Sequence, residues 1–174
     1  MGPRLVPVVW ESKSVLMAHL ESFKPRMIVL GLNAEAPRAY YSFPIALPNG
    51  GAEIGIISSG LGTDVAAVLL DGGKRLLVGH DTFVTWIDVH ALAVVATQTL
   101  GGAFYEFLPL DREDEIVILH ELGALRVDAH GVVQWSVDSD IVERSTVDGG
   151  EKLILKVANG GRITVSLASG AILH

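Results

Sequence analysis

The chain has 174 residues, a net charge of -7 and no cysteine. The missing cysteines exclude disulfides, thiol catalysis and cysteine-based metal sites. The 13 basic residues are scattered among 20 acidic ones, which argues against a nucleic-acid groove, because such a groove needs a clustered basic stripe. No apolar run reaches the roughly 20 residues that span a bilayer, so we expect no membrane partner and a cytoplasmic location.

The N-terminal third of the chain is the least regular part. Five strands are predicted here, Leu5–Trp10, Val15–Leu20, Met27–Leu32, Ala39–Leu47 and Ile54–Ser59, and prolines at positions 25, 37, 44 and 48 lie between or within them. The segment Ser12–Phe23 has a helical alternative, because Val15, Leu16, His19, Leu20 and Phe23 would share one helix face. The repeats that follow favour a strand there. Residues 1–62 are expected to form either a degenerate repeat or a cap on the repeats.

The loop Gly60–Asp64 contains a Gly-x-Gly pattern of the kind found in dinucleotide-binding loops. No third glycine follows, and the next segment is predicted as a strand, so the sequence argues against a nucleotide cofactor. No Gly-x-Ser-x-Gly sequence surrounds any serine either. We therefore expect no cofactor and no catalytic residue.

Three similar segments fill the rest of the chain: Leu70–Val95, Leu110–Val133 and Val147–Leu173. Each opens with an apolar residue and an aspartate, and continues with a polar turn, an apolar run, a second turn and a second strand. The openings lie 40 and then 37 residues apart. At this period each unit is a small sheet that can bury its faces only against its neighbours. The predicted units are residues 64–100, 104–138 and 141–174.

The turns resemble those of WD-repeat and related β-propeller blades, in which an Asp-Gly-Lys type of turn precedes an apolar strand. The best matches are Asp71–Leu77 followed by Val84–Asp88, and Asp148–Leu153 followed by Ile163–Ser166. The Trp-Asp dipeptide of the WD family is absent, its tryptophan being replaced by Ile87, Val127 and Val165. The pattern is thus closer to a divergent propeller of the quinoprotein or lactonase-like kind.

This resemblance implies an all-β fold of stacked four-stranded antiparallel sheets in a propeller-like arrangement, with three clear blades and a degenerate N-terminal one in a single domain, 1–174. It is silent on chemistry. The acidic run Asp111–Glu115 occupies the turn where the sister repeats carry Asp-Gly-Gly. A solvated turn is therefore favoured there over a cation site.

His80 and His120 occupy equivalent positions in the first two repeats. Each is followed by an acidic residue, His80 by Asp81 and His120 by Glu121. Imidazoles and carboxylates on neighbouring blades could converge on a divalent metal. Two histidines and two carboxylates are few for a metal site, and inherited repeat sequence explains the coincidence without a ligand.

Trp86 and Arg126 share one repeat position. If the opposite strand face is the buried one, both side chains project outward as a contact patch suited to a protein interface. The alternative is a tryptophan packed between sheets.

Two function classes follow. The first is a non-catalytic binding module whose partner is another protein, a second copy of the chain, or both; the high apolar content, 49% of the residues, favours self-association. The second is a metal-dependent hydrolase resembling the propeller lactonases, which would need His80, Asp81, His120 and Glu121 to converge.

Overall fold

The structure is a computed structural model that describes residues 4–47, 50–62, 64–110 and 114–173. Its described elements are one α-helix, one 3-10 turn (Asp71–Gly73) and 17 strands. In chain order they are β1 (Arg4–Leu5), β2 (Val8–Trp10), α1 (Lys13–Glu21), β3 (Met27–Leu30), β4 (Ala39–Leu47), β5 (Gly50–Ser58), β6 (Ala66–Leu70), β7 (Arg75–His80), β8 (Phe83–Asp88), β9 (Ala93–Thr99), β10 (Phe104–Pro109), β11 (Glu115–His120), β12 (Gly123–Asp128), β13 (Val133–Asp138), β14 (Val142–Asp148), β15 (Lys152–Val157), β16 (Arg162–Ser166) and β17 (Ile172–Leu173).

Each repeat forms one antiparallel sheet, as predicted. The first sheet has the strand order β1-β6-β7-β8-β9, the second β10-β11-β12-β13, and the third β14-β15-β16-β17. Two sheets have the four strands expected. The first has a fifth, because β1 pairs with the inner edge of β6, Arg4 opposite Val68 and Leu5 opposite Ala67.

The stacking order follows from the two-residue period of the strands. Leu76 and Val78 face the N-terminal part of the chain, whereas Leu77 between them packs against the second sheet. The same alternation recurs in β11, where Val117 faces the third sheet and Ile118 the first. Both faces of the first two repeat sheets are therefore buried, which explains the high apolar content of the sequence.

The N-terminal segment forms a fourth sheet, here called the N-terminal sheet, with the order β2-β4-β5-β3. Strand β3 runs parallel to β5, so this sheet does not repeat the up-and-down order of the others. Its apolar face covers the free face of the first repeat sheet, with Phe43, Ile54 and Ile56 fully buried there. The N-terminal sheet thus has four strands, as a repeat sheet does, and it covers one face of the first repeat sheet, as a cap would.

The prediction of a strand at Val15–Leu20 is wrong, because α1 occupies this segment. The Ser12 side chain accepts a hydrogen bond from the Val15 backbone N–H at 3.3 Å and so caps the helix. Leu16 and Leu20, one turn apart, are both fully buried against β5. The helical period therefore prevails over the repeat context.

No helix in the described part of the chain is long and apolar enough to cross a membrane. The described strands of the three repeat sheets lie within the predicted units 64–100, 104–138 and 141–174, apart from β1. We retain those boundaries, with 1–62 as a separate N-terminal unit, as a proposal for the organisation of the single domain.

Candidate binding pocket

A pocket of about 760 Å³ opens between the N-terminal sheet and the first repeat sheet. One wall is the loop after β3, which includes Leu32 and Arg38, and the opposite wall is the hairpin between β7 and β8. Leu32 is 52% exposed, Leu61 56% and Phe83 37%. The mouth of the pocket is therefore apolar, and the exposed Arg38 places a cation beside it.

Asp81 organises the polar floor of this pocket from the β7–β8 turn. Its Oδ1 accepts hydrogen bonds from the hydroxyls of Ser58 and Ser59, both at 2.8 Å, and from the Leu61 N–H at 3.3 Å. Its Oδ2 accepts from the Ser59 N–H at 3.1 Å and lies 3.3 Å from His80 Nδ1. The carboxylate thus joins the first repeat sheet to the segment after β5.

These contacts keep Asp81 ionised. Burial alone would raise the pKa of its carboxyl, but the hydrogen bonds from His80, Ser59 and Ser58 outweigh burial and hold the pKa well below its usual range. Burial, and to a smaller extent the charges of Asp64 and Asp81, raises the pKa of the Tyr41 hydroxyl. The floor of the pocket is therefore anionic at neutral pH.

Serine, histidine and aspartate meet here, but not in the order that activates a nucleophile. In a catalytic triad the serine hydroxyl donates to the imidazole and the imidazole is held by the carboxylate. Ser58 and Ser59 instead donate to Asp81 itself. Both hydroxyls thus donate to the Asp81 carboxylate, which also accepts from the N–H groups of Ser59 and Leu61. This arrangement favours a structural network over nucleophilic catalysis.

The four residues of the predicted metal set do not converge. His80 lies on the face of the first sheet that meets the N-terminal sheet, since it is opposite Phe83 in the register and both line the pocket. His120 lies on the face of the second sheet that meets the first, as do Ile116 and Ile118 in the same strand. The first sheet therefore lies between them, and packed sheets are about 10 Å apart. The described residues contain no group of three or more metal-ligating side chains.

His120 and Glu121 instead complete the contacts of their own turn. The Leu122 N–H donates to His120 Nδ1 at 3.3 Å, and the Ala103 N–H donates to Glu121 Oε2 at 3.3 Å. Burial lowers the pKa of His120, with a smaller opposing effect of Asp138. Glu121 thus links the second sheet to the segment before it, as Asp81 does for the first.

Trp86 and Arg126 do not form the outward contact patch that was one of two alternatives for them, because both lie between sheets. Trp86 is 1% exposed and packs with the second sheet. Arg126 is 6% exposed, pairs with Glu115, and donates from Nη1 to the carbonyls of Leu167 and Ala168 at 2.7 and 3.2 Å. Neither side chain is available for direct contact with a partner; Arg126 instead attaches the third sheet to the second.

No pattern in the sequence indicated the pocket itself. The sequence marked Gly60–Asp64 only as a failed nucleotide loop, although Leu61 in this loop is among the exposed apolar residues of the pocket mouth. The pocket depends on the loop after β3 lying beside a repeat turn, a contact between distant parts of the chain that no local pattern encodes. Of the acidic run Asp111–Glu115, the first three residues lie outside the described residues.

Neither a protein-family model nor a curated protein sequence matches the chain significantly. Solved structures do match it. A chain of the mitotic checkpoint complex matches with a TM-score of 0.52 and 13% identity over 78% of this chain and 49% of its own length. The β-propeller domain of Cps50 (Swd1) from Myceliophteria thermophila matches with a TM-score of 0.51 and 10% identity over 80% of this chain and 52% of its own.

The chain therefore spans about half the length of these two structures. At such low identity the likeness concerns the fold alone. The stacked repeat sheets and this likeness together identify the chain as an all-β protein with a divergent β-propeller-like repeat fold.

Proposed function

We propose that the chain is a non-catalytic binding module that holds an extended segment of another protein in the pocket between the N-terminal sheet and the first repeat sheet. The observation that carries this proposal is the pocket mouth, where Leu32, Leu61 and Phe83 are all exposed. Exposed apolar side chains around a concave surface are typical of a binding site.

The chemistry of the pocket favours an apolar anchor side chain with a polar backbone around it. Thr85 and Thr97 lie on its inner wall with their hydroxyls 3.3 Å apart, and hydroxyls can donate to or accept from a peptide backbone. Arg38 forms no ion pair with another described residue. It would therefore suit a carboxylate of the bound segment.

Two observations support binding over hydrolysis. The Asp81 carboxylate and its serine partners already satisfy one another, and the metal-ligating set is divided between two inter-sheet spaces. A metal assay tests the alternative directly. Stoichiometric divalent metal in the purified protein that disappears on replacing His80 and His120 together by Gln would overturn the proposal and support the hydrolase.

Site-specific photo-crosslinking tests the pocket. A photoreactive side chain at Phe83 should capture a defined peptide from native extract, identified by mass spectrometry, and Leu61→Asp should abolish this product. The same side chain at Val147, which is 42% exposed on the third repeat sheet, is the matched control. Equal products from both positions, or a product unaffected by Leu61→Asp, would contradict the proposal.

Self-association is retained as a second form of the proposed partner. If the captured peptide is a segment of this chain and sedimentation gives a dimer at about 10 μM, where permanent dimers persist, the partner is a second copy. The cytoplasmic location also stays a prediction, to be checked by cell fractionation.

A further inference from the structure

No described residue packs on one broad face of the third repeat sheet. Its other face meets the second sheet through Leu153, Leu155 and Val165, so the residues that alternate with these along each strand point the opposite way. No hydrophobic cluster of the described residues includes Ile154 or Leu173, and Leu173 is 38% exposed. We call this surface the open face.

Three cations lie side by side on the open face. In the register, Arg144 is opposite Lys156 and Lys156 is opposite Arg162. Their strands are therefore about 4.8 Å apart at one level of the sheet, and we call the three residues the basic row. All three are exposed, and none forms an ion pair with another described residue.

The repeat pattern does not supply these charges. The corresponding rows are Ala66, Gly79 and Val84 in the first sheet and Glu106, Leu119 and Ala124 in the second. Like charges directly opposite one another destabilise a sheet, so the basic row costs stability in the isolated chain. Its sign is also opposite to the chain's net charge of -7. A negatively charged partner would remove that cost.

An apolar and threonine-rich row lies beside the basic row. Thr146, Ile154, Thr164 and Leu173 are opposite one another across the four strands. This second row is two residues along each strand from the basic row, or about 6.7 Å. A helix, about 10 Å across, would cover both rows. Helix residues three or four positions apart are separated by about 5–6 Å, close to the spacing of the cations.

We propose that the open face binds an amphipathic helix of a partner protein, with an acidic stripe against the basic row and an apolar stripe against Ile154 and Leu173. A nucleic acid is disfavoured because the described open face carries no aromatic side chain for base stacking. The net charge of -7 also repels a polyanion. A second copy docked through the same face with the twofold axis at the basic row would bring like charges together.

Fluorescence anisotropy of the full chain with a synthetic acidic helix tests the proposal. The probe is a helical peptide of about 20 residues with Glu at positions i, i+4 and i+7 beside a leucine stripe; a scrambled peptide of the same composition is its control. We expect Lys156→Glu with Arg162→Glu to weaken binding at least about tenfold, since two attractions become repulsions. Lys13→Glu with Lys74→Glu, the same charge change elsewhere, should leave the affinity within about twofold.

A second measurement needs no peptide. Lys156→Glu alone places a carboxylate between two cations, so we expect it to raise the melting temperature of the isolated chain by about 2 °C. An unchanged or lower melting temperature would overturn the claim that the basic row costs stability. The proposal also fails if the acidic peptide does not bind, if the scrambled peptide or the charge-reversed chain binds equally well, or if single-stranded DNA binds more tightly. It does not depend on the pocket.

Discussion

Gly170 lies directly against Trp135, so that a Cβ on Gly170 would come within 2.6 Å of both Cβ and Cγ of that side chain. Gly131, at the equivalent turn of the second repeat, lies against Trp86, whose Cε2 would be 3.3 Å from such a Cβ. Trp86 belongs to β8 and Trp135 to β13. Each of these tryptophans therefore contacts the equivalent turn of the next repeat, although the two lie on non-equivalent strands.

Replacing Gly170 by Ala should destabilise the protein by about 3 kcal/mol, since it adds a left-handed backbone penalty and a clash with Trp135. The φ of Gly170 is +73°. Gly149→Ala is the matched control, because its φ is +59° but no atom lies within 4 Å of the added Cβ. Its cost should be about 1 kcal/mol. Equal urea midpoints for the two variants would show that the contact with Trp135 does not matter.

Arg126→Met should lower the free energy of unfolding by about 3 kcal/mol, because it breaks the buried ion pair with Glu115 and removes the donors to Leu167 and Ala168. Glu115→Gln in the same chain should recover part of this loss, because a neutral amide is less costly to leave without its cation. Denaturant unfolding of both variants measures the difference. A loss below about 0.5 kcal/mol for Arg126→Met, the range of ordinary surface substitutions, would contradict the attachment role.

Asp81→Asn should destabilise the protein at neutral pH by about 2 kcal/mol, because an amide cannot accept all the hydrogen bonds of the carboxylate. The folded pKa of Asp81 is depressed. Its ionisation therefore stabilises the fold above the unfolded pKa of about 3.9, and this stability is lost as the pH falls below that value toward the folded pKa. Urea midpoints of the two proteins should converge between about pH 5 and pH 3. A difference in urea midpoint that stays constant across this pH range would contradict the role of the Asp81 charge.

His120→Gln should weaken the pH dependence of stability just below neutrality. Burial lowers the folded pKa of His120, so the unfolded chain takes up a proton first as the pH falls below about 6.5. The contribution of His120 is therefore present above this pH and lost below it. Melting temperatures at pH 7.5 and 5.5 should differ less in His120→Gln than in the parent. Equal differences in the two proteins would contradict this prediction.

Local patterns were sufficient to predict the repeat sheets. The apolar runs at Leu76–Val78 and Ile116–Leu119 are buried strands as expected, because each lies between turns and alternates its faces between two neighbours. The run Leu153–Leu155 is also a strand as expected, but only Leu153 and Leu155 meet a neighbouring sheet, and Ile154 lies on the open face. At Lys13–Glu21 the repeat context misled the prediction, although the Ser12 cap and the spacing of Leu16 and Leu20 were visible in the sequence.

The site was much less predictable. For Trp86 and Arg126 the sequence left an exposed patch and packing between sheets both open, because alternation alone does not say which face of a strand meets a neighbour. In the first two repeat sheets both faces do. Asp81 was considered as a metal ligand only in the alternative hydrolase reading, and its partners Ser58, Ser59 and Leu61 belong to a segment about 20 residues earlier. Contacts of this kind are set by the packing of whole sheets, so they are known only once the stack is known.

The pairing of β1 with β6 has a consequence for the order in which the sheets form during synthesis. Arg4 is made 64 residues before its partner Val68, a delay of about 3 to 13 s at 5–20 residues per second. The second and third sheets join only strands that are neighbours in the chain, so their hairpins can close as soon as they leave the ribosome. Completion of the first sheet instead requires its earliest strand to stay unpaired until β6 emerges.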